Sequence, residues 1–311
     1  MTRPAPARPH RLVYLGTPEM AVKPLHALVD AGFDVALVIT RPDKRRGRRA
    51  TPTPSPVKQA ALARRLAVSY DPDAAMDVQA DLGVVVAYGR IIKPHVLDQL
   101  AMVNLHFSLL PRWRGAAPVE RAILAGDART GVCVMAVEEQ LDTGGIYAQA
   151  AIDIGPESTA EDLRRQLLEL GPPLLVQSLQ AGLGNPDPQQ GEPTYADKLS
   201  VEDLRLDWGR PASELHRVVR VGGAWTTFRG RRLKVRRAEL SDGEAGPGRP
   251  GELHGECVTT SRGVLVLTEV QPEGRGLMAF EAWANGARPA PGERLGLDPP
   301  RPASAATGPA G

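Results

Sequence analysis

The chain has only two cysteines, Cys133 and Cys257, and neither belongs to a Cys-x-x-Cys pair. Two isolated cysteines do not make a disulfide framework, so the sequence predicts reduced thiols and a cytoplasmic protein. No apolar run approaches about 18 residues, so no membrane span is predicted. Residues 1–10 lack the apolar core of a secretory signal, and we expect them to form a flexible extension.

Several sequence motifs of cofactor and metal binding are also missing. The first β-turn-α, Leu-Gly-Thr-Pro-Glu, lacks the G-x-G-x-x-G pattern, and the chain contains no P-loop. The histidines other than His106 are scattered without the spacing of metal ligands. There is no G-x-S-x-G elbow around Ser108. We therefore predict no NAD, no metal and no covalent nucleophile.

The composition is that of a soluble globular protein. The chain has 311 residues, of which 42% are hydrophobic and 24% are charged, with a formal net charge of +2. This length accommodates two domains with a sizeable core. Because the overall charge is close to balanced, only the distribution of charge along the chain carries functional information.

Short apolar strands alternate with helices over residues 11–182. Strands are predicted at 12–15, 35–39, 83–87, 102–105 and 132–137, and helices at 94–100 and 117–125. Thr17 followed by Pro18 predicts one helix start, and Ser158-x-x-Glu161 predicts a capping box for a helix that runs towards Leu170. This alternation is typical of an α/β fold with a Rossmann-like, mostly parallel sheet, which binds ligands at the carboxyl ends of its strands.

The pattern changes after residue 182. Residues 183–199 are rich in Gly, Pro, Asn, Asp and Gln and are predicted to be a linker. A short helix is expected at 212–220, followed by strands at 224–228, 233–238, 252–259 and 263–270. We predict a small β-barrel domain over residues 200–298 and a disordered tail over 299–311.

Asn104, His106 and Asp142 are the candidate catalytic residues. Asn104 and His106 stand two apart on a strand and so point to one side. An apolar strand rarely ends in Asn-x-His unless those polar groups are used, although an isolated histidine at a strand end is more often structural. The Asn amide and a protonated His can donate to a developing oxyanion, and a nearby carboxylate can orient the imidazole. This set favours acyl transfer to an amine.

Two further loops are candidates for ligand contact. The strand containing Val86 ends at Tyr88 and Gly89, where backbone groups could bind a flat heterocycle. An ordinary strand-to-helix turn explains that loop equally well. Trp113, between two arginines, is either an anchor in the core or a rigid wall beside the ligand.

A dense basic segment suggests a nucleic-acid partner. Residues 41–49 carry six basic side chains and one acidic one, Asp43. Solvated surface is the ordinary explanation for arginine-rich runs, but this density, together with Gly47 and nearby prolines, favours a protruding loop that contacts phosphates. The basic residues are Arg41, Lys44, Arg45, Arg46, Arg48 and Arg49.

The chain resembles the bacterial methionyl-tRNA formyltransferase family from about residue 11 to about 297. The matching blocks include Leu-Gly-Thr-Pro-Glu-Met-Ala, Thr-Arg-Pro-Asp-Lys, Thr-Pro-Ser-Pro-Val-Lys, Asn-Leu-His-Phe-Ser-Leu-Leu-Pro-Arg-Trp-Arg-Gly-Ala-Ala-Pro, Leu-Asp-Thr-Gly-Gly and Thr-Tyr-Ala-Asp-Lys-Leu. Phe107 is a departure, because many relatives carry Gly between the histidine and the serine. The resemblance implies the formyltransferase fold with an OB-like C-terminal barrel.

The resemblance also implies the reaction, which is formyl transfer from 10-formyltetrahydrofolate to the methionine amine of initiator Met-tRNA. It makes Asn104, His106 and Asp142 the catalytic set and the loop from Arg41 a tRNA contact. It implies a monomer. The expected folate contacts are Val86, Tyr88, Gly89, Ser108, Leu109, Leu110 and Pro111.

Two other functions remain open at this stage. Formyltetrahydrofolate hydrolases and formyltransferases acting on sugar nucleotides or purine precursors could share the Asn-x-His and Asp. The two basic segments, at 41–49 and 210–240, favour tRNA over those substrates. A noncatalytic tRNA-binding protein would leave the Asn104, His106 and Asp142 set without a role.

Overall fold

The computed structural model of the chain describes residues 3–45, 51–241 and 248–297. The chain divides into two compact units, Met1–Lys198 and Leu199–Gly311. In the part of the chain that is described, no helix is both long and apolar enough to cross a membrane.

The first unit alternates strands with helices. Its strands are β1 (Arg11–Gly16), β2 (Asp34–Ile39), β3 (Lys44–Arg45), β4 (Pro52–Thr53), β5 (Val68–Ser69), β6 (Leu82–Val86), β7 (Met102–His106), β8 (Arg114–Gly115), β9 (Arg129–Ala136), β10 (Ile146–Asp153) and β11 (Tyr195–Ala196). Its α-helices are α1 (Val22–Asp30), α2 (Pro56–Ala63), α3 (Pro94–Gln99), α4 (Pro118–Ala125) and α5 (Ala160–Ala181), with 3₁₀ turns at Glu19–Ala21 and Pro72–Met76.

A seven-stranded sheet in the order β10-β9-β7-β6-β1-β2-β5 forms the centre of this unit. The pairs β1–β2, β1–β6, β6–β7 and β2–β5 are parallel, whereas β7–β9 and β9–β10 are antiparallel. Every residue of β6 is buried, which is expected for a strand with helices on both faces. The predicted Rossmann-like, mostly parallel sheet is confirmed. The sequence did not predict strand β10, because its residues alternate in exposure instead of forming an apolar run.

Two helix starts differ from the sequence prediction. Residues 19–21 form a 3₁₀ turn, so α1 begins at Val22, several residues after Pro18. The capping box of α5 is formed by Thr159 and Asp162, one residue later than predicted. Thr159 Oγ1 accepts from the Asp162 N–H at 3.1 Å, and the Thr159 N–H donates to the Asp162 carboxylate at 3.2 Å. Aspartate replaces the expected Glu as the reciprocal acceptor because its shorter carboxylate still reaches the cap.

The predicted linker is instead an integral part of the first unit. Strand β11, within it, pairs in parallel with β8. The Asp187 backbone exchanges hydrogen bonds of 2.8 and 2.9 Å with the Ile146 backbone. At the amino end of the unit, the Ala7 carbonyl accepts from the Leu183 N–H at 3.0 Å. A composition rich in Gly and Pro therefore marked an irregular but hydrogen-bonded segment.

The second unit is an antiparallel sheet with helices. Its strands are β12 (Trp225–Phe228), β13 (Arg231–Leu240), β14 (Leu253–His254), β15 (Cys257–Thr259), β16 (Val264–Pro272) and β17 (Met278–Ala279), and its helices are α6 (Ala212–Val221) and α7 (Phe280–Ala287), with a 3₁₀ turn at Glu202–Leu204. The sheet has the order β12-β13-β16-β15-β14, with β17 on β16. No pairing between β12 and β14 closes a barrel among the described residues, so the OB-like barrel is not confirmed.

Candidate active site

Asn104 and His106 lie at the carboxyl end of β7. They share one face of the sheet because alternate side chains of a strand point the same way. Asn104 pairs with Val85 of β6 on one side and with Met135 of β9 on the other. Strand pairing on both sides holds these side chains on a rigid base, which a free loop would not supply.

Asp142 comes from the connection between β9 and β10, which turns back towards β7. Its φ of +52° lies in the left-handed region, which aspartate tolerates better than most residues. Gly144 stands so close to the end of β9 that a Cβ there would lie 2.0 Å from the Ala136 carbonyl oxygen. A side chain at position 144 would therefore push this turn, and Asp142 with it, out of place.

The three side chains meet. Asn104 Nδ2 donates to Asp142 Oδ1 at 3.4 Å, and His106 Nδ1 lies 3.7 Å from Asp142 Oδ2. The Gly115 N–H donates to the same Oδ2 at 2.8 Å. The side chains of His106 and Asp142 are only 6% and 10% exposed, so solvent and salt screen their interaction little. The structure thus brings together the three residues selected from the sequence.

The backbone of Trp113 defines the orientation of the histidine. His106 Nε2 lies 3.0 Å from the Trp113 carbonyl oxygen. Because a carbonyl only accepts, Nε2 carries a hydrogen and Nδ1 is the nitrogen left beside Asp142. The indole Nε1 of Trp113 donates to Asp127 at 2.7 Å, which fixes the loop. The sequence predicted a role for the Trp113 ring, whereas its carbonyl is the group that touches His106.

The nucleophiles next to this site are not activated. The Ser108 hydroxyl donates to the Arg112 carbonyl at 2.6 Å instead of to His106. Burial raises the pKa of the Cys133 thiol to about 11, against a weaker opposing effect from a backbone hydrogen bond of Leu110. A neutral thiol is a poor nucleophile. Among the described residues, no group of three or more His, Cys, Asp or Glu side chains could hold a metal ion.

The residues expected at the folate lie around the same strand ends, but several side chains pack inward. Leu110 belongs to an apolar cluster with Cys133 and Met135, and Ser108 and Val86 are fully buried. The Tyr88 ring lies in an apolar core cluster with Ile39 and Val85, and burial raises the pKa of its hydroxyl. Contacts from these positions to a ligand would therefore use the backbone. Of the remaining expected contacts, Leu109 and Pro111 are partly buried, and Gly89 is exposed with a φ of +70°. Their role stays a prediction.

The segment predicted to be a linker, residues 183–199, borders this site. Gln189 Nε2 donates to the carbonyl oxygens of Asp142 and Gly144 at 2.9 and 2.8 Å. Thr194 Oγ1 accepts from the Trp113 N–H at 2.9 Å. The Thr-Tyr-Ala-Asp-Lys-Leu block, which is part of the family resemblance, could have indicated that this segment belongs to the site, because an ordinary linker does not require a specific motif.

The basic loop is described only at its base. Lys44 and Arg45 of β3 are exposed and pair with β4, whereas Arg41 is partly buried. At that base, Lys58 Nζ donates to Asp43 at 2.7 Å and to the Tyr70 hydroxyl at 2.6 Å. The Lys58 hydrogen bond lowers the pKa of Asp43. Arg46, Arg48 and Arg49 lie outside the described residues.

Comparisons with solved structures support the fold. A sugar 3N-formyl transferase, WlaRD, solved with dTDP and 5-N-formyl-THF, aligns with a TM-score of 0.64 at 16% identity, covering 86% of this chain and 98% of that one. An N-formyltransferase from Helicobacter canadensis, in complex with folinic acid and dTDP-3-aminofucose, aligns with a TM-score of 0.62 at 17% identity, covering 82% and 98%. At such identities the likeness concerns the fold alone.

Sequence comparisons give the family. The model of the formyl transferase family matches residues 10–179, and that of the formyl transferase C-terminal domain matches residues 198–288. The methionyl-tRNA formyltransferase of Heliobacterium modesticaldum is 41% identical over 92% of this chain and 100% of its own length. That of Pseudomonas fluorescens is 42% identical over 90% of this chain and 94% of its own. The chain belongs to the methionyl-tRNA formyltransferase family.

Proposed function

We propose that the protein transfers the formyl group of 10-formyltetrahydrofolate to the α-amino group of methionine on initiator Met-tRNA. The observation that carries this proposal is the meeting of Asn104, His106 and Asp142 at the end of β7. They meet in a chain similar over almost its whole length to methionyl-tRNA formyltransferases. We expect it to act as a monomer in the cytoplasm, where charged tRNA is used.

The reaction needs hydrogen-bond donors to the formyl oxygen. Attack of the methionine amine on the formyl carbon places negative charge on that oxygen, and donors already aimed at it lower the barrier. The Asn104 amide supplies one such donor. His106 supplies the other through Nδ1, because Nε2 is already bonded to the Trp113 carbonyl. The Asp142 carboxylate, with Oδ2 3.7 Å from Nδ1, offsets the positive charge that the ring carries when both of its nitrogens hold a hydrogen.

The proton balance assigns a second task to Asp142. The new bond joins the amine nitrogen to the formyl carbon, and the bond from that carbon to N10 of the folate breaks. The amine loses a proton, N10 gains one from water as it leaves, and Asp142 later returns its proton to water, so the proton count balances. Asp142 accepts the amine proton, directly or through a water molecule, while the Gly115 N–H holds its Oδ2.

The formyl donor, 10-formyltetrahydrofolate, would lie against the strand ends beside Asn104, His106 and Asp142. Two structurally similar formyltransferases were solved with folinic acid or 5-N-formyl-THF, which supports a folate donor here. The backbone around Tyr88 and Gly89 would bind the pterin, and the loop Ser108–Pro111 would border it. That loop is closed by the hydrogen bond from Ser108 to the Arg112 carbonyl.

Two basic surfaces would bind the tRNA. One is the loop from Arg41, with exposed Lys44 and Arg45 at its base and Arg46, Arg48 and Arg49 beyond. The other is β13, whose sequence carries five basic residues and one acidic residue, with every basic side chain exposed. Phosphate contacts by such side chains supply most of the sequence-independent affinity for a nucleic acid.

One assay tests the proposal. Purified protein is given 10-formyltetrahydrofolate with charged initiator tRNA, charged elongator tRNA and water as competing acceptors. We expect formylation of the initiator tRNA to dominate. Release of free formate at a comparable rate would indicate a hydrolase, and equal formylation of both tRNAs would refute initiator selectivity.

A further inference from the structure

We infer that Gln189 is a positioning residue for Asp142 and that residues 187–196 hold the catalytic geometry together; this inference rests on the formyl transfer proposed above. Gln189 touches no reacting atom. It lies in the segment whose composition suggested a linker, yet its side chain contacts two of the loops that form the site.

All the hydrogen-bonding capacity of the Gln189 amide is used. Its Nε2 donates to the carbonyl oxygens of Asp142 at 2.9 Å and of Gly144 at 2.8 Å. Its Oε1 accepts from Nε and Nη2 of Arg114 at 3.1 and 2.7 Å. A glutamate could satisfy Arg114 but not the two carbonyls, because a carboxylate has no hydrogen to donate.

Arg114 and its neighbours link this amide to the catalytic set. The residue after Arg114 is Gly115, whose N–H donates to Asp142 Oδ2 at 2.8 Å. Gly115 has a φ of +122°, and a Cβ there would lie 2.9 Å from the Ala196 carbonyl oxygen. Both the main chain and the side chain of Asp142 are therefore held by groups that contact residues 189–196.

The same segment also reaches the partner of the histidine. The Trp113 N–H donates to Thr194 Oγ1 at 2.9 Å, and the Arg114 N–H donates to the Thr194 carbonyl at 2.9 Å. The carbonyl of Trp113 is the group bonded to His106 Nε2. Residues 187–196 thus link the two loops that set the positions of His106 and Asp142 relative to each other.

Asp142 needs such support because its backbone is strained. Its left-handed φ of +52° is less stable than an ordinary conformation and persists only where surrounding contacts hold it. Loss of the hydrogen bonds from Gln189 would free the Asp142 carbonyl, and the Asp142 carboxylate would move with it. A misplacement of about 1 Å in a catalytic group can cost about 100-fold in rate.

The test compares Gln189→Met and Gln189→Glu with Gln190→Met, a change at the exposed neighbouring glutamine. Gln189→Glu keeps the contact with Arg114, so the segment stays attached if the methionine variant fails to fold. We expect kcat for formyl transfer to fall about 10- to 100-fold in both Gln189 variants, as for other residues that orient a reactive group. The KM values for folate and tRNA should stay within about 2-fold of wild type, and Gln190→Met should behave like wild type.

A second measurement separates positioning from simple stabilisation. Each Gln189 change is repeated in the Asp142→Asn background, with kcat measured at a temperature where circular dichroism shows every variant folded. If Gln189 acts through Asp142, its loss should cost little more there, because coupled residues are not additive. Additive losses, raised KM with intact kcat, or full kcat in Gln189→Glu would overturn the inference. A wild-type protein that formylates no tRNA would instead refute the proposed function, and the inference with it.

Discussion

At the scale of single residues, the carboxylate of Asp142 is the group on which most of the site depends. It is within reach of Asn104 and His106 and accepts from the Gly115 N–H. Asparagine also tolerates a left-handed backbone. Asp142→Asn therefore removes the charge while preserving both the backbone conformation and the side-chain volume, which makes it a cleaner test than alanine.

We expect Asp142→Asn and His106→Ala each to lower kcat for formylation of initiator tRNA by about 100-fold or more, the usual range for loss of a general acid or base. Binding of the tRNA should be unchanged, because neither side chain lies on a basic surface. Single-turnover rates and filter binding measure the two quantities. Asp77→Asn, an exposed aspartate away from the site, is the control. Near-normal turnover in either site variant would contradict the mechanism.

The cysteines give a prediction that does not involve the substrate. Cys133 is fully buried in register with His106, and burial raises its pKa to about 11, whereas Cys257 is partly exposed. Since the thiolate is the reactive form, a raised pKa lowers reactivity at neutral pH. Mass spectrometry after alkylation at pH 8 should find Cys257 labelled and Cys133 labelled only in denaturant. Fast labelling of native Cys133 would contradict its burial.

At the scale of secondary structure, the start of α5 depends on which of two neighbouring residues, Ser158 or Thr159, is the N-cap. Thr159 and Asp162 satisfy each other's backbone N–H groups. Hydrogen bonds from Thr159 lower the pKa of Asp162. A carboxyl with a lowered pKa stabilises the fold above its unfolded pKa, and that contribution is lost as the pH falls through the folded value.

We expect Thr159→Ala to lower the free energy of unfolding by about 1 kcal/mol, the usual cost of losing an N-cap. Ser158→Ala, at the position that the sequence pattern favoured, should cost less. Urea denaturation of both variants at pH 7 compares them directly. The difference should shrink at a pH low enough to protonate Asp162. A larger loss of unfolding free energy in Ser158→Ala than in Thr159→Ala would indicate that Ser158 is the N-cap, as the sequence pattern predicted.

At the scale of the whole molecule, basic side chains are concentrated on strand β13 of the second unit. Strand β13 carries Arg231, Arg232, Lys234, Arg236 and Arg237 on exposed positions, while Leu233 and Val235 point into the unit. Arg232 also stacks on Trp225, with its guanidinium 4.1 Å from the ring centroid. From Arg232 to Arg236 the alternation of the strand separates a core face from a charged face. Arg231 and Arg237 fall outside this alternation at the strand end and at a register shift, and both are also exposed.

Replacing Arg231 and Arg236 by Gln should weaken binding of Met-tRNA and reduce the slope of log affinity against log salt by about 1 for each phosphate that the variant no longer neutralises. The kcat at saturating tRNA should be unchanged. The matched control is Arg11→Gln with Arg64→Gln, which removes the same charge at the amino ends of the parallel strands, where these residues pair with Asp34 and Asp30. Equal slopes for the two double variants would exclude β13 from the tRNA surface.

Much of the fold and part of the site follow from local patterns. The buried strands β1, β2, β6 and β7 were predictable because apolar runs of that length bounded by turns have few alternatives. Asn104 and His106 were predictable as a pair because alternation along a strand is a local property. Strand β10 and the capping register of α5 were not, because a half-exposed edge strand and a one-residue shift leave no strong local signal.

The sequence by itself determined the buried strands β1, β2, β6 and β7, the shared face of Asn104 and His106, and the number of basic side chains in each segment. Each depends on backbone periodicity or on composition. Only the tertiary structure decided which atoms meet: the Trp113 carbonyl at His106 Nε2, the Gly115 N–H at Asp142, and Gln189 between Arg114 and the Asp142 turn. Those contacts join residues up to 75 positions apart. Their geometry depends on how the whole sheet packs, which no local pattern encodes.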